Sequence, residues 1–152
     1  MKILIDDQVQ NGCFSAQDVE KLAIFTLRSL GCPENSEVSI SFVEEICIQE
    51  LNCDYRGIDK VTDVLSFECD NLDDDFSKDA EVFQLGDVVI CPDYAKTNAE
   101  KFSCTLDEEI ELLVVHGLLH LNGYDHVEDE DAELMESKED EILKAYRDEQ
   151  GR

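Results

Sequence analysis

The stretch of sequence that decides the fold runs from Thr105 to His126 and reads TLDEEIELLVVHGLLHLNGYDH. Thr105 and, three residues later, Glu108 form the pattern of a capping box, which opens an α-helix. Residues 112–121 are then apolar nearly all round, apart from two histidines and a glycine. This composition is typical of a helix that is buried on every side. The sequence therefore predicts a central helix whose side chains are held rigidly by packing.

All three histidines of the chain lie in this stretch, at positions 116, 120 and 126. Residues four apart lie on the same face of a helix, so His116 and His120 are predicted to aim at one point. Gly123 can end the helix in a left-handed conformation and bring His126 back to that point. Three imidazoles with one open position form the ligand set of a catalytic zinc site, whereas a lone histidine is usually a hydrogen-bonded core residue. We predict a site for one Zn²⁺ ion on the central helix and the following turn.

In the rest of the chain, runs of alternating or β-branched apolar residues predict strands. Apolar residues at helical spacing predict helices. The predicted strands are Lys2–Ile5, Val38–Phe42, Val64–Phe67 and Gly86–Cys91. The predicted helices run from the Ser15 cap to Leu30, from Glu44 to Leu51, from Pro92 to Phe102 and from Asp129 to Asp148, the last burying Leu134, Met135, Ile142 and Tyr146. Residues 71–80 are predicted to form an exposed loop. This order favours an α+β fold with a small mixed sheet packed with helices.

Length and composition suit one domain over residues 1–152. No apolar run approaches the ~20 residues of a membrane span, and the acidic start is unlike a signal peptide, so a cytoplasmic protein is expected. The seven cysteines include no Cys-x-x-Cys pair, which favours reduced, buried thiols over disulfides. The net charge of −26 argues against loose adhesion to nucleic acid or an anionic membrane.

Three neutral ligands leave the charge of a zinc ion almost undiminished, which lowers the pKa of bound water to about 7 and attracts anions. Hydrolysis is therefore the expected reaction class. The spacing H-x3-H-x2-G-x2-H is also that of a class of zinc peptidases, which place a glutamate directly after the first histidine. Position 117 is a glycine, so peptide hydrolysis is disfavoured but stays an alternative.

A second group of residues is Tyr55-Arg56-Gly57 followed by Thr62–Phe67. Beside a metal, the guanidinium of Arg56 can hold a phosphodiester bidentately and stabilise developing charge. Asp63 and Asp125 are candidates for orienting a ligand histidine, although the turn or cap role is slightly favoured for each.

The segment from His116 to His126 resembles, without a departure, the H-G-x-L-H-L-x-G-Y-D-H signature of the YbeY family of bacterial endoribonucleases. The resemblance extends over most of the chain from about Leu51. It is carried further by Leu51-Asn52, Tyr55-Arg56-Gly57, Thr62–Phe67 and Leu85–Ile90.

The resemblance implies a cytoplasmic, metal-dependent hydrolase that cuts single-stranded RNA in 16S rRNA 3′-end maturation and ribosome quality control. It implies that the three histidines bind the metal and that Arg56 is the functional arginine. In the resulting hypothesis, zinc carries the water, Arg56 holds the phosphodiester, and a nearby carboxylate or the metal-bound hydroxide takes the proton.

The acidity of the chain conflicts with RNA as a substrate, because a polyanion is repelled over about 8 Å at physiological salt. The available cations are the metal, Arg56, Lys60, Lys96 and Lys101. Alternatively, a basic ribosomal protein docks the acidic face, and ribosomal particles are then better substrates than free RNA. A rival of another class is a non-catalytic ribosome-assembly factor with a structural zinc, closed by a fourth ligand such as Cys91 or Cys104.

Overall fold

A four-stranded mixed sheet forms the framework of the protein. The computed structural model describes residues 1–10, 14–69, 82–125 and 127–151. The strands are β1 (Lys2–Asp7), β2 (Ser36–Phe42), β3 (Val64–Glu68) and β4 (Phe83–Ile90). They lie in the order β1-β2-β4-β3, with β1, β2 and β4 parallel and β3 antiparallel to β4. The predicted α+β class with a small mixed sheet is confirmed, and β3 lies at one edge.

The described residues also form five helices. These are α1 (Ala16–Ser29), α2 (Glu45–Arg56), α3 (Pro92–Lys101), α4 (Leu106–Leu121) and α5 (Asp129–Glu149). The two faces of β4 show how they are layered, because successive side chains of a strand point to opposite sides. Val88 and Ile90 belong to the large core cluster with residues of α1, α4 and α5, whereas Val89 packs with Ile48 of α2. The helices α1, α4 and α5 therefore lie on one side of the sheet and α2 lies on the other. None of the described helices is long and apolar enough to span a bilayer.

The central helix is α4, as the sequence predicts. Both halves of its capping box are present: the Glu108 amide donates to the Thr105 hydroxyl, and the Thr105 amide donates to the Glu108 carboxylate, each at 3.1 Å. Nine of its residues are buried, and it contacts α1, α3, α5, β3 and β4. Gly117 lies directly on the sheet, where an added Cβ would come within 2.6 Å of a Val88 methyl.

Beyond shifts of one or two residues at element ends, three sequence predictions differ from the structure, and one lies outside the described residues. Strand β4 begins at Phe83, three residues before the predicted start at Gly86. Helix α2 continues beyond the predicted end at Leu51 to Arg56, because buried Asn52 holds its last turn by donating to the carbonyl of Lys60 at 3.0 Å. Leu134 was expected on the buried face of α5, but 62% of it is exposed. The buried stripe of that helix instead consists of Met135, Glu139, Ile142, Leu143 and Tyr146. The predicted loop at 71–80 lies outside the described residues.

Candidate functional site

Helix α4 places His116 and His120 side by side. Their Nε2 atoms lie 3.1 Å apart, and their ring planes are inclined at 80°. Both side chains are half-buried, so packing restricts their rotamers while the ring edges stay accessible. The four-residue spacing produces this geometry, because one helical turn separates the two Cα atoms. The structure thus brings together two of the three predicted ligands.

The Nδ1 atoms of the two rings each face an acceptor. The Nδ1 of His120 lies 3.0 Å from the carbonyl oxygen of Tyr124, and the Nδ1 of His116 is hydrogen-bonded to a carboxylate oxygen of Glu139. A carbonyl and a carboxylate only accept, so these contacts place the ring protons on Nδ1. In the neutral rings each Nε2 is then an acceptor, and two acceptor nitrogens face one another. This arrangement favours a cation between them.

The turn after α4 is built by a Schellman motif. The amide of Gly123 donates to the carbonyl of His120, and the amide of Tyr124 donates to that of Leu119, both at 3.1 Å. Gly123 has φ +92°, which favours glycine. The left-handed glycine therefore ends the helix as predicted and turns the carbonyl of Tyr124 toward the ring of His120.

The side chain of Asn122 braces the same turn. Its amide nitrogen donates to the carbonyl of Leu118 at 2.7 Å, and its oxygen accepts from the thiol of Cys32 at 3.0 Å. Burial raises the pKa of the Cys32 thiol to about 11, so the thiol keeps the proton that it donates. The turn leading to position 126 is thereby fastened to the segment that follows α1.

The third predicted ligand, His126, lies outside the described residues. Within the described ranges, no group of three or more histidine, cysteine or acidic side chains is arranged to hold a metal ion. Of the cysteines considered as a fourth ligand, Cys91 is fully buried at the start of α3. The thiol of Cys104 is turned to the carboxylate of Glu109, at 3.9 Å.

Arg56 is the last residue of α2 and is exposed. Its neighbour Tyr55 packs edge-on against Phe67 of β3, with the ring centroids 5.1 Å apart. The preceding strand residue, Ser66, points to the other side of the sheet and donates to the carbonyl of Gly117 at 3.1 Å. Helices α2 and α4 thus contact β3 from opposite faces of the sheet, through Tyr55 and Gly117 respectively. The guanidinium of Arg56 makes no hydrogen bond or ion pair with a described residue, and Lys60, Lys96 and Lys101 are exposed.

Asp63 belongs to a separate polar cluster. One carboxylate oxygen accepts from the amide of Val64 at 2.8 Å, and the other accepts from the side chain of Asn98 at 3.1 Å. Asp63 therefore caps the turn before β3, the role slightly favoured from the sequence. Burial and the charge of Asp63 raise the pKa of the nearby Glu109 carboxyl, while hydrogen bonds with Asn98 and Cys104 act in the opposite direction. Asp125, the second such candidate, is exposed.

Sequence reasoning missed Glu139. This residue lies on α5, 23 residues after His116, and its carboxylate contacts the His116 ring. Only 6% of this residue is exposed. The sequence did indicate that Glu139 is buried, because it lies four residues after Met135 and three before Ile142, on the face that α5 buries. That signal was hidden because other acidic residues, Glu136, Asp140 and Glu141, lie close to Glu139 in the sequence.

The fold and the site define a class of protein: a mixed α+β domain in which a buried helix presents paired imidazoles with converging acceptor nitrogens. The sequence model of the family described as "Endoribonuclease YbeY" matches residues 5–147. The chain therefore belongs to the YbeY family of endoribonucleases.

Relatives and a solved structure agree with this membership. Proteins named "Endoribonuclease YbeY" from Macrococcus caseolyticus and Finegoldia magna are each 42% identical to the chain. The aligned regions cover 93% of this chain and 92% of the Macrococcus protein, and 96% of this chain and 90% of the Finegoldia protein. A solution structure of a Thermotoga maritima protein is similar with a TM-score of 0.61 and 26% identity, over 98% of this chain and 93% of that one.

Proposed function

We propose that this protein is a zinc-dependent endoribonuclease that cuts single-stranded RNA, with a cytoplasmic role in 16S rRNA 3′-end maturation and ribosome quality control. The observation that carries the proposal is the pair of Nε2 atoms of His116 and His120, 3.1 Å apart, in a chain of the endoribonuclease YbeY family. Neither the histidine pair nor the family membership is sufficient alone. The histidine pair supports a metal, and the family supports RNA as the substrate.

The described donor atoms fit a zinc ion. Two nitrogens bound to one tetrahedral Zn²⁺ at 2.0–2.1 Å are about 3.3 Å apart, close to the observed separation. The hydrogen bonds at both Nδ1 atoms leave the Nε2 lone pairs for the metal, as is usual for ligand histidines. His126, three residues after the left-handed Gly123, would supply the third imidazole.

When bound, zinc supplies Lewis acidity, which acidifies water and polarises an oxygen of the substrate. The residues of the chain supply orientation and charge. His116 and His120 hold the metal on a rigid helix, and Arg56 binds the phosphodiester through its planar guanidinium. Because α2 and α4 contact β3 from opposite faces of the sheet, an RNA strand that reached both Arg56 and the histidine pair would cross the β3 edge.

The peptidase-like alternative meets an obstacle at position 117. The general base of those enzymes is a glutamate directly after the first histidine. Here a Cβ at Gly117 would lie 2.6 Å and 3.1 Å from the methyl groups of Val88 and 3.3 Å from the hydroxyl of Ser66. Position 117 therefore faces the sheet and leaves no room for a glutamate side chain. The assembly-factor alternative needs a fourth protein ligand. The thiol of Cys104 is turned toward the carboxylate of Glu109, which disfavours this thiol as that ligand.

Ribosomal particles, with a basic ribosomal protein as the docking partner, are the proposed setting for cleavage. The chain carries a net charge of −26, so free RNA is repelled unless a cation shields it. A basic protein bound to the acidic surface would remove much of this repulsion and hold the RNA near Arg56.

The proposal is tested by elemental analysis of the purified protein together with cleavage of a 3′-extended 16S RNA fragment. We expect about one zinc per chain, cleavage that a chelator abolishes and added zinc restores, and no cleavage of a peptide panel. His120→Ala should lose both the zinc and the cleavage. Cleavage at an undiminished rate by metal-free protein would overturn the metal assignment, and cleavage of peptides but not RNA would favour the peptidase.

A further inference from the structure

We infer that Glu139 is the positioning residue that holds His116 ready to bind the metal, so that α5 is a functional part of the site. This inference rests on the proposed function. It adds a role for a residue of the C-terminal helix, which contributes none of the proposed ligands.

The first argument is the geometry of the contact. A carboxylate oxygen of Glu139 accepts from Nδ1 of His116, which fixes the ring rotation and, in the neutral imidazole, leaves Nε2 without a proton. The backbone carbonyl of Tyr124 is the corresponding acceptor for Nδ1 of His120. Both imidazoles are thus prepared in the same tautomer by different elements, and their Nε2 atoms meet at 3.1 Å.

The second argument is the unusual location of the carboxylate. Glu139 is 6% exposed and lies on a stripe whose other members are Met135, Ile142, Leu143 and Tyr146. Burying a carboxylate costs free energy, and replacing a buried ion pair by apolar residues is often neutral or stabilising. An apolar residue would therefore serve the packing of α5 at least as well. The hydrogen bond that the carboxylate accepts from His116 explains its presence better than packing does.

The chain is well suited to a direct test, because it contains only three imidazoles. Labelling histidine with ¹⁵N and recording long-range nitrogen–proton correlations on metal-free protein reports which ring nitrogen carries the proton. Replacing each histidine in turn assigns the signals. In the unchanged protein, we expect His116 to be protonated at Nδ1 alone.

Four variants separate positioning from packing and charge. Glu139→Gln keeps an acceptor oxygen and should retain the Nδ1 proton, whereas Glu139→Ala should give a mixture of tautomers. Met135→Ala loosens the same buried stripe but removes no hydrogen-bond acceptor, and Glu136→Ala removes an exposed charge from the same helix. Both of these controls should keep the tautomer of the unchanged protein.

Zinc affinity, measured by competition with a chromophoric chelator at a temperature where every variant is folded, is the second readout. Glu139→Ala should bind zinc 10–100-fold more weakly, as is typical when such a partner is removed. Glu139→Gln should lie in between, and Met135→Ala and Glu136→Ala should match the unchanged protein. A Glu139→Ala protein with an unchanged tautomer and unchanged affinity would overturn the inference. If the unchanged protein shows the Nδ1 tautomer yet binds no zinc, the positioning of His116 stands and the proposed metal function fails.

Discussion

Gly117 of α4 rests against Val88 of β4 so closely that a Cβ at position 117 would lie 2.6 Å from one methyl carbon and 3.1 Å from the other. This contact sets the distance between the helix that carries the histidines and the sheet that carries β3. The glycine therefore allows α4, the helix that carries His116 and His120, to lie close to the sheet, and it leaves no room for a glutamate at position 117.

We predict that Gly117→Ala destabilises the protein by about 1–3 kcal/mol, the usual cost of overpacking a core. In an exposed helix the same change would stabilise by about 1 kcal/mol, so the sign itself is diagnostic. Urea unfolding followed by circular dichroism measures the change. Ser137→Ala, on the exposed side of α5, is the control and should shift stability little. Unchanged or increased stability of Gly117→Ala would contradict the packing described here.

Arg56→Ala should keep its zinc but cleave RNA about 100-fold more slowly, because a single preorganised donor to developing charge is worth about that factor. Zinc content and single-turnover cleavage of a short single-stranded RNA are the measurements. Arg28→Ala is a suitable control, since Arg28 is also an exposed arginine near a helix end and its partner is Glu34, at 3.2 Å. Wild-type cleavage by Arg56→Ala would remove this residue from the mechanism.

Cleavage of 3′-extended 16S RNA should be faster in ribosomal particles than on the same RNA free in solution. The net charge of −26 repels a free polyanion, whereas a docked basic protein offsets that repulsion. Initial rates at matched RNA concentration and ionic strength measure the difference. Particles that lack the 3′ extension serve as the control. Equal rates on both substrates would refute the proposed setting.

The raised pKa of Glu109 predicts a specific dependence of stability on pH. A carboxyl whose pKa is higher in the folded than in the unfolded protein stabilises the fold while it is protonated. This contribution is complete below the unfolded value, near 4.5, and is lost as the pH rises through the folded value.

Glu109→Gln should therefore gain stability relative to the unchanged protein as the pH rises from 5 to 8. Urea unfolding of both proteins across this range gives the difference, in which contributions from the many other acids largely cancel. Glu100→Gln, an exposed carboxyl on α3, should show a smaller trend. If the stability of Glu109→Gln minus that of the unchanged protein stays constant or falls with pH, the pKa of Glu109 in the folded protein is not raised.

Local patterns predicted the parts of the site that one element forms by itself. The capping box at Thr105, the convergence of His116 and His120 and the left-handed turn at Gly123 depend on residues within one helix and its ends. Sequence patterning is informative there because helical periodicity fixes which side chains are neighbours.

The rest depends on contacts between distant segments. Helix α2 reaches Arg56 because Asn52 is held by the loop that follows, although the pattern suggested an end at Leu51. Glu139 meets His116 only because α5 packs on α4. The exposure of Leu134 likewise follows from how α5 is rotated on its neighbours, and no periodicity within one acidic helix determines that rotation.

The turn after α4 orients His120 with a main-chain oxygen, so its contribution does not depend on which side chain stands at position 124. Substitutions of Tyr124 would leave the acceptor for that ring in place. Inserting or deleting one residue between His120 and Tyr124 would shift the oxygen and the following chain together. Position 124 is thus expected to tolerate changes of residue type far better than the turn tolerates changes of length.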